Sequence, residues 1–476
     1  MRISYAAELG TQRPSLGIRS RSDVARAFFE RLGSSRIDYV ALGDVRTDLT
    51  ELRGDLDVAV GPEVLPTMAR WIARFCREQA LLPVQMLEHE QTAAYYVLAG
   101  SWNSPDPLFL AVDFCSDYYR KGRLLLRADE LVNGTPNWLE LPEARQRVAV
   151  PPAATAFIYY LIKKIDKGEL QSRHGAYLTA RFRDDPRGAE NQSRRFWTGA
   201  DLERICRAAE SGEWAPVTSR LEALANRLRA RRPRSFESAL GETKRRIGRI
   251  LRPTGVTLCV YGSDGSGKST VLRMTESSLA PAFRRTKAFH LRPHFGFANA
   301  HRPPVLEPHA EPPRGWLASA LKLAYWLADY TVGYAIVILP RLISSTFVLF
   351  DRYYHDLYVD PRRYRFRGPL SWARLVGKVI PQPDVTIWLD VSPRVANTRK
   401  PELAINELAC QREAYARIMR DLGGAVADAD APLAHVLGHV NAAVLEHMAR
   451  RTERRLDLDH ASFESESAAA VSGQRS

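Results

Sequence analysis

Residues 256–270, VTLCVYGSDGSGKST, constrain the fold of this chain more than any other stretch. Val256 to Tyr261 are apolar or β-branched and few enough to form one buried strand. Gly262, Gly265 and Gly267 then free the backbone to curl with successive N–H groups turned inward toward an anion, and Ser263, Asp264 and Ser266 complete the turn. Lys268 is spaced to reach the β/γ-phosphates of a nucleotide, and Ser269 to set its hydroxyl on Mg²⁺. From Thr270 the sequence TVLRMTESSL reads helical, so a helix N-terminus faces the same anion. Strand, GxxxxGKS and helix in that order predict an α/β unit with ATP on the Gly262–Thr270 loop.

A chain of 476 residues is too long for one ordinary core, and two or three domains are expected. Hydrophobic content of 45% and charged content of 26% are those of soluble globular protein. Five cysteines (76, 115, 206, 259, 410) form no CxxC pair, which argues for reduced thiols and against disulfides or structural zinc. MRISYAAELGTQRP at the N-terminus has no apolar core of signal-peptide length, so a cytoplasmic location is expected.

The net charge of +14 suggests an anionic partner, but its placement argues against nucleic acid. Residues 227–252 hold ten Lys/Arg against two Glu, a net +8, with Phe236 as the one aromatic. A nucleic-acid groove interleaves basic residues with exposed aromatics. The segment reads instead as a linker ending in a basic amphipathic helix, with Arg245, Arg246, Arg249 and Arg252 beside Ile247, Ile250 and Leu251. That pattern suits a solvated face or peripheral contact with an anionic membrane. Residues 316–339 are apolar and long enough to span a bilayer, but Lys322 and Asp329 would each cost about 2.5–3.5 kcal/mol at mid-membrane. A buried or groove-lining helix pair is expected there. The closing SFESESAAAVSGQRS reads as disordered.

In the first half, residues 36–60 give an apolar run to Leu42, a glycine at 43, and a second run carrying Asp55-Leu56-Asp57. On a strand these two carboxylates share a face and suit Mg²⁺ held against a triphosphate, or they simply end the strand. LFLAVDF, residues 108–114, supplies a third carboxylate at Asp113. Over about residues 20–180 this pattern resembles the nucleotidyltransferase superfamily. The resemblance implies an α+β domain in which Asp55, Asp57 and Asp113 bind two metals, with Gly43 near a triphosphate. Asp44 departs from the family's small residue after the turn glycine and would repel a phosphate. Farther on, TAFIYYLIKKIDKG places Phe157, Leu161 and Ile165 on one helical face, and Lys163, Lys164 and Lys167 read as a solvated basic face.

In the second half, TKAFHLRPHF predicts a short strand bringing His290 and Arg292 to its end. STFVLFDRYYHD, residues 345–356, predicts a buried strand ending in Asp351-Arg352. An arginine after this Asp, in place of a water-positioning glutamate, suits an anionic acceptor and favours phosphoryl transfer to a second molecule. DVTIWLDVSP and the helix after it complete a β/α alternation, which predicts a parallel sheet with the site at the strands' carboxyl ends.

Over about residues 254–422 the chain resembles thymidylate kinase and related nucleoside monophosphate kinases. The residues that carry the likeness are GSDGSGKST, DRYY, PDVTIWLDVSP, RVANTRK and QREAY. The resemblance implies that Lys268 and Ser269 handle ATP and Mg²⁺ and that Asp351 orients the metal or the acceptor. It further implies that Arg352 grips the acceptor's anionic group with Tyr353 beside it, and that Arg399 screens the transferred phosphoryl. HLRP replaces the family's Arg-Glu-Pro-Gly, leaving Arg292 as an acceptor contact without its Glu. HDLYVDPRRYRFRG is a mainly basic insertion, either a plain surface loop or an acceptor contact through Arg363.

The expected organisation is a nucleotidyltransferase-like domain at 1–230, a basic linker at 231–254, a thymidylate-kinase-like domain at 255–450 and a disordered tail at 451–476. The expected activity is transfer of the ATP γ-phosphate to a small anionic or hydroxyl acceptor, a nucleoside monophosphate or sugar-type metabolite, with a second, nucleotidyl-transfer activity. The competing readings are a regulatory nucleotide-binding switch and a nucleic-acid-stimulated NTPase. Pairing as a homodimer is a further expectation.

Overall fold

The computed structural model describes residues 20–45, 54–90, 92–132, 136–141, 146–231, 236–293 and 315–473. The chain divides into two units. The first comprises Met1–Leu98, Phe109–Gly248 and Thr452–Ser476, and the second Ala99–Leu108 and Arg249–Arg451.

The first unit is built on β1 (Tyr39–Leu42), β2 (Leu56–Val60), β3 (Leu82–Glu90), β4 (Ala93–Gly100) and β5 (Leu108–Cys115), in the order β1-β2-β5-β4-β3. β1 runs antiparallel to β2, and β2 runs parallel to β5 with Asp57 opposite Asp113. Two ribbons follow: β6 (Tyr118–Arg120) with β7 (Arg123–Leu126), and β8 (Asn137–Leu141) with β9 (Gln146–Val150). Helix α1 (Ala153–Lys167) starts after a Pro-Pro pair, where proline's missing N–H costs nothing, and stops at Gly168, whose φ of +70° suits a left-handed cap. Phe157, Ile158, Leu161, Ile162 and Ile165 on α1 are fully buried against Trp197, Leu224 and their neighbours. Each such side chain contributes roughly 1.5–3 kcal/mol by leaving water.

The second unit carries β10 (Val256–Tyr261), β11 (Arg285–His290), β12 (Thr346–Asp351), β13 (Val385–Asp390) and β14 (Ala425–Asp428), in the order β11-β12-β10-β13-β14. All four pairings are parallel. The first strand in sequence is therefore central, and the chain's direction of travel reverses there. Such a switch point opens a crevice at the strand's carboxyl end. Helix α2 (Lys268–Leu279) leaves that end.

Helix α3 (Trp316–Gly333) continues through a π turn at Tyr334–Ile338 into Leu339–Ile343, one helical run in place of the expected pair. Only a third of its most apolar window is buried. Leu323, Trp326 and Tyr330 enter the core, Lys322 reaches the Tyr364 carbonyl, and Asp329 is ion-paired, while Leu321 and Ile336 face outward.

Two boundaries differ from those read in sequence. Ala99–Leu108 belongs to the second unit, where Asn441 Nδ2 donates to the Ser104 carbonyl at 3.0 Å. The stretch after residue 450 is helical, part of Leu433–Gly473, and its Leu456 is buried. Its Glu and Ala content favours helix, and polarity outweighed that propensity in the sequence reading.

Candidate active site

All six residues of β10 are buried, so the turn after them is held by the sheet beneath. Gly265 has φ +85°, and a Cβ there would lie 2.4 Å from the Ala396 carbonyl oxygen on α4 (Pro393–Arg399). At Gly262 a Cβ would meet Ser266 Oγ at 2.5 Å. Gly265 therefore requires glycine for space as well as for backbone freedom. Lys268 opens α2 and arches back, donating from Nζ to the carbonyls of Gly262 and Ser263, each at 2.8 Å. It is buried and not a surface cation: burial, with Arg352 adding, pushes its pKa down to about 7 against the pull of Asp264, Asp351 and Asp356.

A cavity of about 220 Å³ opens at this turn, lined by the loop with Lys268, Ser269 and Thr270. His290, Asp351, Arg352, Arg363 and Lys400 line it as well. Asp351 ends β12, and its Oδ1 is buried with no hydrogen-bond partner. Burial works to raise this carboxyl, but His290, Lys268 and Arg352 outweigh it and hold it below its ordinary value.

Arg352 follows with a left-handed φ of +67°. Its Nη2 donates to Asp264 Oδ1 at 2.7 Å, and its Nη1 donates to Asp356 Oδ2 at 2.9 Å and to the Tyr415 hydroxyl at 3.3 Å. Tyr364 and Tyr415 each donate to the Asp356 carboxylate, at 2.6 and 2.5 Å. Asp356 is fully buried and fully satisfied, as such a charge must be. Arg363 donates to Asp264 Oδ2 at 2.6 Å. Two guanidiniums therefore share one loop carboxylate. Although burial raises Asp264, Arg352, Lys268 and Arg363 hold it well below the usual range.

Two residues expected at the acceptor, and one expected at the transferred phosphoryl, have other partners. Arg292 is buried in an ion pair with Asp329 at 2.9 Å, its guanidinium over the Tyr325 and Trp326 rings. Tyr353 is in the core, donating to the Pro381 carbonyl at 2.8 Å. Arg399 donates to the Ala429 carbonyl at 3.3 Å, and Lys400 is the residue of this segment that lines the cavity. Asp356 and Tyr364 went unread because their roles depend on Arg352 being drawn inward. The one signal was acid and aromatic residues following DR at helical spacing.

In the first unit the structure gathers Asp55, Asp57 and Asp113 and adds a lysine. Lys163 Nζ donates to Asp57 Oδ2 and lies 5.8 Å from the Tyr159 ring centroid. His89 Nε2 is 3.4 Å from Asp113 Oδ2, while Asp113 Oδ1 is buried without a partner. Burial and then Asp57 raise the Asp55 carboxyl, with Lys163 opposing. Burial would lower Lys163, yet Asp57, Asp113 and Asp55 together hold it above its ordinary value. The expected solvated basic face is thus corrected: Lys163 is within the carboxylate cluster, and Lys164 lies 3.0 Å from His174 Nε2 with burial pushing its pKa down to about 8. Lys167 alone of the three is exposed. Residues 154–162 are buried all round the helix, so the lysine directly after them could not be wholly solvated. Gly43 has φ +84° and its carbonyl accepts from the Tyr177 hydroxyl at 2.9 Å. Among the described residues no three His, Cys, Asp or Glu side chains have the arrangement of a metal site.

No protein-family model matches the chain. A probable thymidylate kinase of Staphylothermus marinus is 29% identical over 203 residues, which cover 41% of this chain and 96% of that protein. The remainder of the chain has no counterpart in that relative, and the nucleotidyltransferase likeness gains no support from it. The similarity supports a kinase-like region within a longer chain.

Proposed function

We propose that the second unit is an ATP-dependent phosphotransferase whose acceptor is a small molecule with an anionic group, such as a nucleoside monophosphate or a sugar phosphate. One observation carries the reading: Lys268 and a glycine-shaped loop line a single cavity together with Arg352 and Arg363. Phosphoryl transfer needs positioning and charge stabilisation far more than covalent help from the protein. The loop N–H groups and Lys268 take the β/γ-phosphates. The two guanidiniums hold the acceptor so that its oxygen bonds to the γ-phosphorus as the bond to the ADP oxygen breaks. An acceptor oxygen on a phosphate dianion has no proton to lose, so this pocket needs no general base.

Ser269 and the partnerless Oδ1 of Asp351 fit Mg²⁺, and these two would hold it. When bound, the ion would supply neutralisation of the charge on the transferring phosphoryl group. The similarity to a probable thymidylate kinase supports the class and makes thymidylate the first acceptor to try.

The test is ATP consumption by the full chain with nucleoside monophosphates, sugars, sugar phosphates and polyprenols. Steady ADP formation that depends on an added anionic acceptor, and that Lys268→Ala strongly reduces, is expected. Tight ATP binding with no turnover for any acceptor would favour a nucleotide-binding switch instead.

A further inference from the structure

A pair of carboxylates on neighbouring strands invites a divalent cation, and the sequence of the first unit raised that expectation. The β2–β5 register places Asp57 beside Asp113, and Asp55 is close enough for both to disfavour its charged form. The space they share already contains a cation of the protein's own: the Lys163 ammonium is bonded to Asp57 and attracted by Asp113 and Asp55. Its side chain is only 16% exposed. The helix carrying it cannot draw back, because Phe157, Ile158, Leu161, Ile162 and Ile165 anchor α1 in the core on either side of Lys163. A divalent ion needs several oxygens at 2.0–2.6 Å in a defined geometry. Here Lys163 occupies Asp57 Oδ2 and Asp113 Oδ2 faces His89, so each of the two strand-paired carboxylates keeps at most one oxygen for an ion.

We propose that Lys163 is a built-in counter-ion standing where a divalent cation would otherwise sit among Asp55, Asp57 and Asp113, so that the first unit works without metal at this cluster. The ammonium supplies the counter-charge that clustered, partly buried carboxylates require. Unlike a metal it cannot lower the pKa of a bound water or bridge two phosphate oxygens, because it accepts no ligands. The inference is independent of the kinase reading of the second unit and survives or fails without it.

The experiment is Mn²⁺ titration of the full chain followed by the loss of free-ion EPR signal, without nucleotide. Wild type and Asp57→Asn are expected to titrate alike, because the cluster holds no ion. Lys163→Met should gain one Mn²⁺ per chain at least tenfold tighter than any site in wild type. Lys163→Met combined with Asp57→Asn should lose it again. A wild-type site that disappears in Asp57→Asn overturns the proposal, and so does a folded Lys163→Met that gains nothing. If Lys163→Met does not fold, the comparison of wild type with Asp57→Asn decides alone. Thermal melting gives a second readout: Mn²⁺ should raise the melting temperature of Lys163→Gln by several degrees and leave wild type unmoved.

Discussion

Each unit brings opposite charges together in a polar cluster, but the proportions are reversed. At the loop of the second unit, Lys268, Arg352 and Arg363 surround the carboxylate of Asp264. In the first unit, Asp55, Asp57 and Asp113 surround the ammonium of Lys163. A surplus of cations beside an open cavity is suited to an incoming anion. A surplus of carboxylates neutralised by a half-buried lysine is closer to a structural ion pair. The count of charged residues alone would rank the two clusters as equal. What separates them is which sign is in excess and whether space is left for a ligand.

The largest effect expected is on turnover. Lys268→Ala should lower acceptor-dependent ADP formation by roughly 10²–10³-fold, the size typical of losing one preorganised charge at a reacting centre. Circular dichroism should be unchanged, and near-wild-type turnover would erase the contrast by showing that the loop is not the reacting centre.

In the first unit the corresponding change should act on stability. Asp57→Asn leaves the half-buried Lys163 with only Asp55 and Asp113 in its field, and urea unfolding should show a loss of about 1–3 kcal/mol. Kinase turnover per folded molecule should not move. A loss of turnover at constant stability would mean that the two clusters act on one reaction.

Arg363→Ala sharpens the comparison from the other side. It removes one guanidinium and leaves the buried Arg352–Asp356 pair whole. KM for the anionic acceptor should rise on the order of tenfold while KM for ATP stays constant, as for loss of one charge-assisted contact. A change in ATP alone would assign Arg363 to the nucleotide.

The smallest effect is a proton. With the Lys268 pKa pushed down to about 7 by burial, the ligand-free protein carries a largely uncharged amine at pH 8 and a largely charged one at pH 6. An arriving phosphate favours the charged form. ATP binding should therefore take up most of one proton at pH 8 and little at pH 6, as calorimetry in buffers of different ionisation enthalpy would show. Equal uptake at both values would place the lysine's titration elsewhere.

The two clusters also differ in how far the sequence disclosed them. The loop was legible because its parts are contiguous: residues 256–279 form strand, turn and helix, and each local choice serves the same anion. Asp351 and Arg352 were legible because they end a strand that parallel alternation must place beside the loop. The first unit's cluster joins positions 57, 113 and 163, and only the strand pair could be inferred from spacing. The insertion of Lys163 depends on the rotation of α1, and helical periodicity misjudges that rotation when the helix is buried on every side. The same limit explains Arg292, whose fate was decided by Asp329 in a distant helix.

Position 352 also has a consequence for mutational scanning. A left-handed backbone costs a residue with a Cβ about 1–2 kcal/mol, which glycine would recover. Glycine would also strip Asp356 of its buried counter-charge, a larger loss. Lysine keeps a charge but not the fork that bridges Asp264 and Asp356, and it keeps the strain. Every single replacement therefore trades a small relief for a larger deficit. In a saturation library Arg352 should appear as an isolated fitness peak. Chains that have lost it should be viable only where Asp356 has been replaced as well, so the two positions should be gained and lost as one heritable unit.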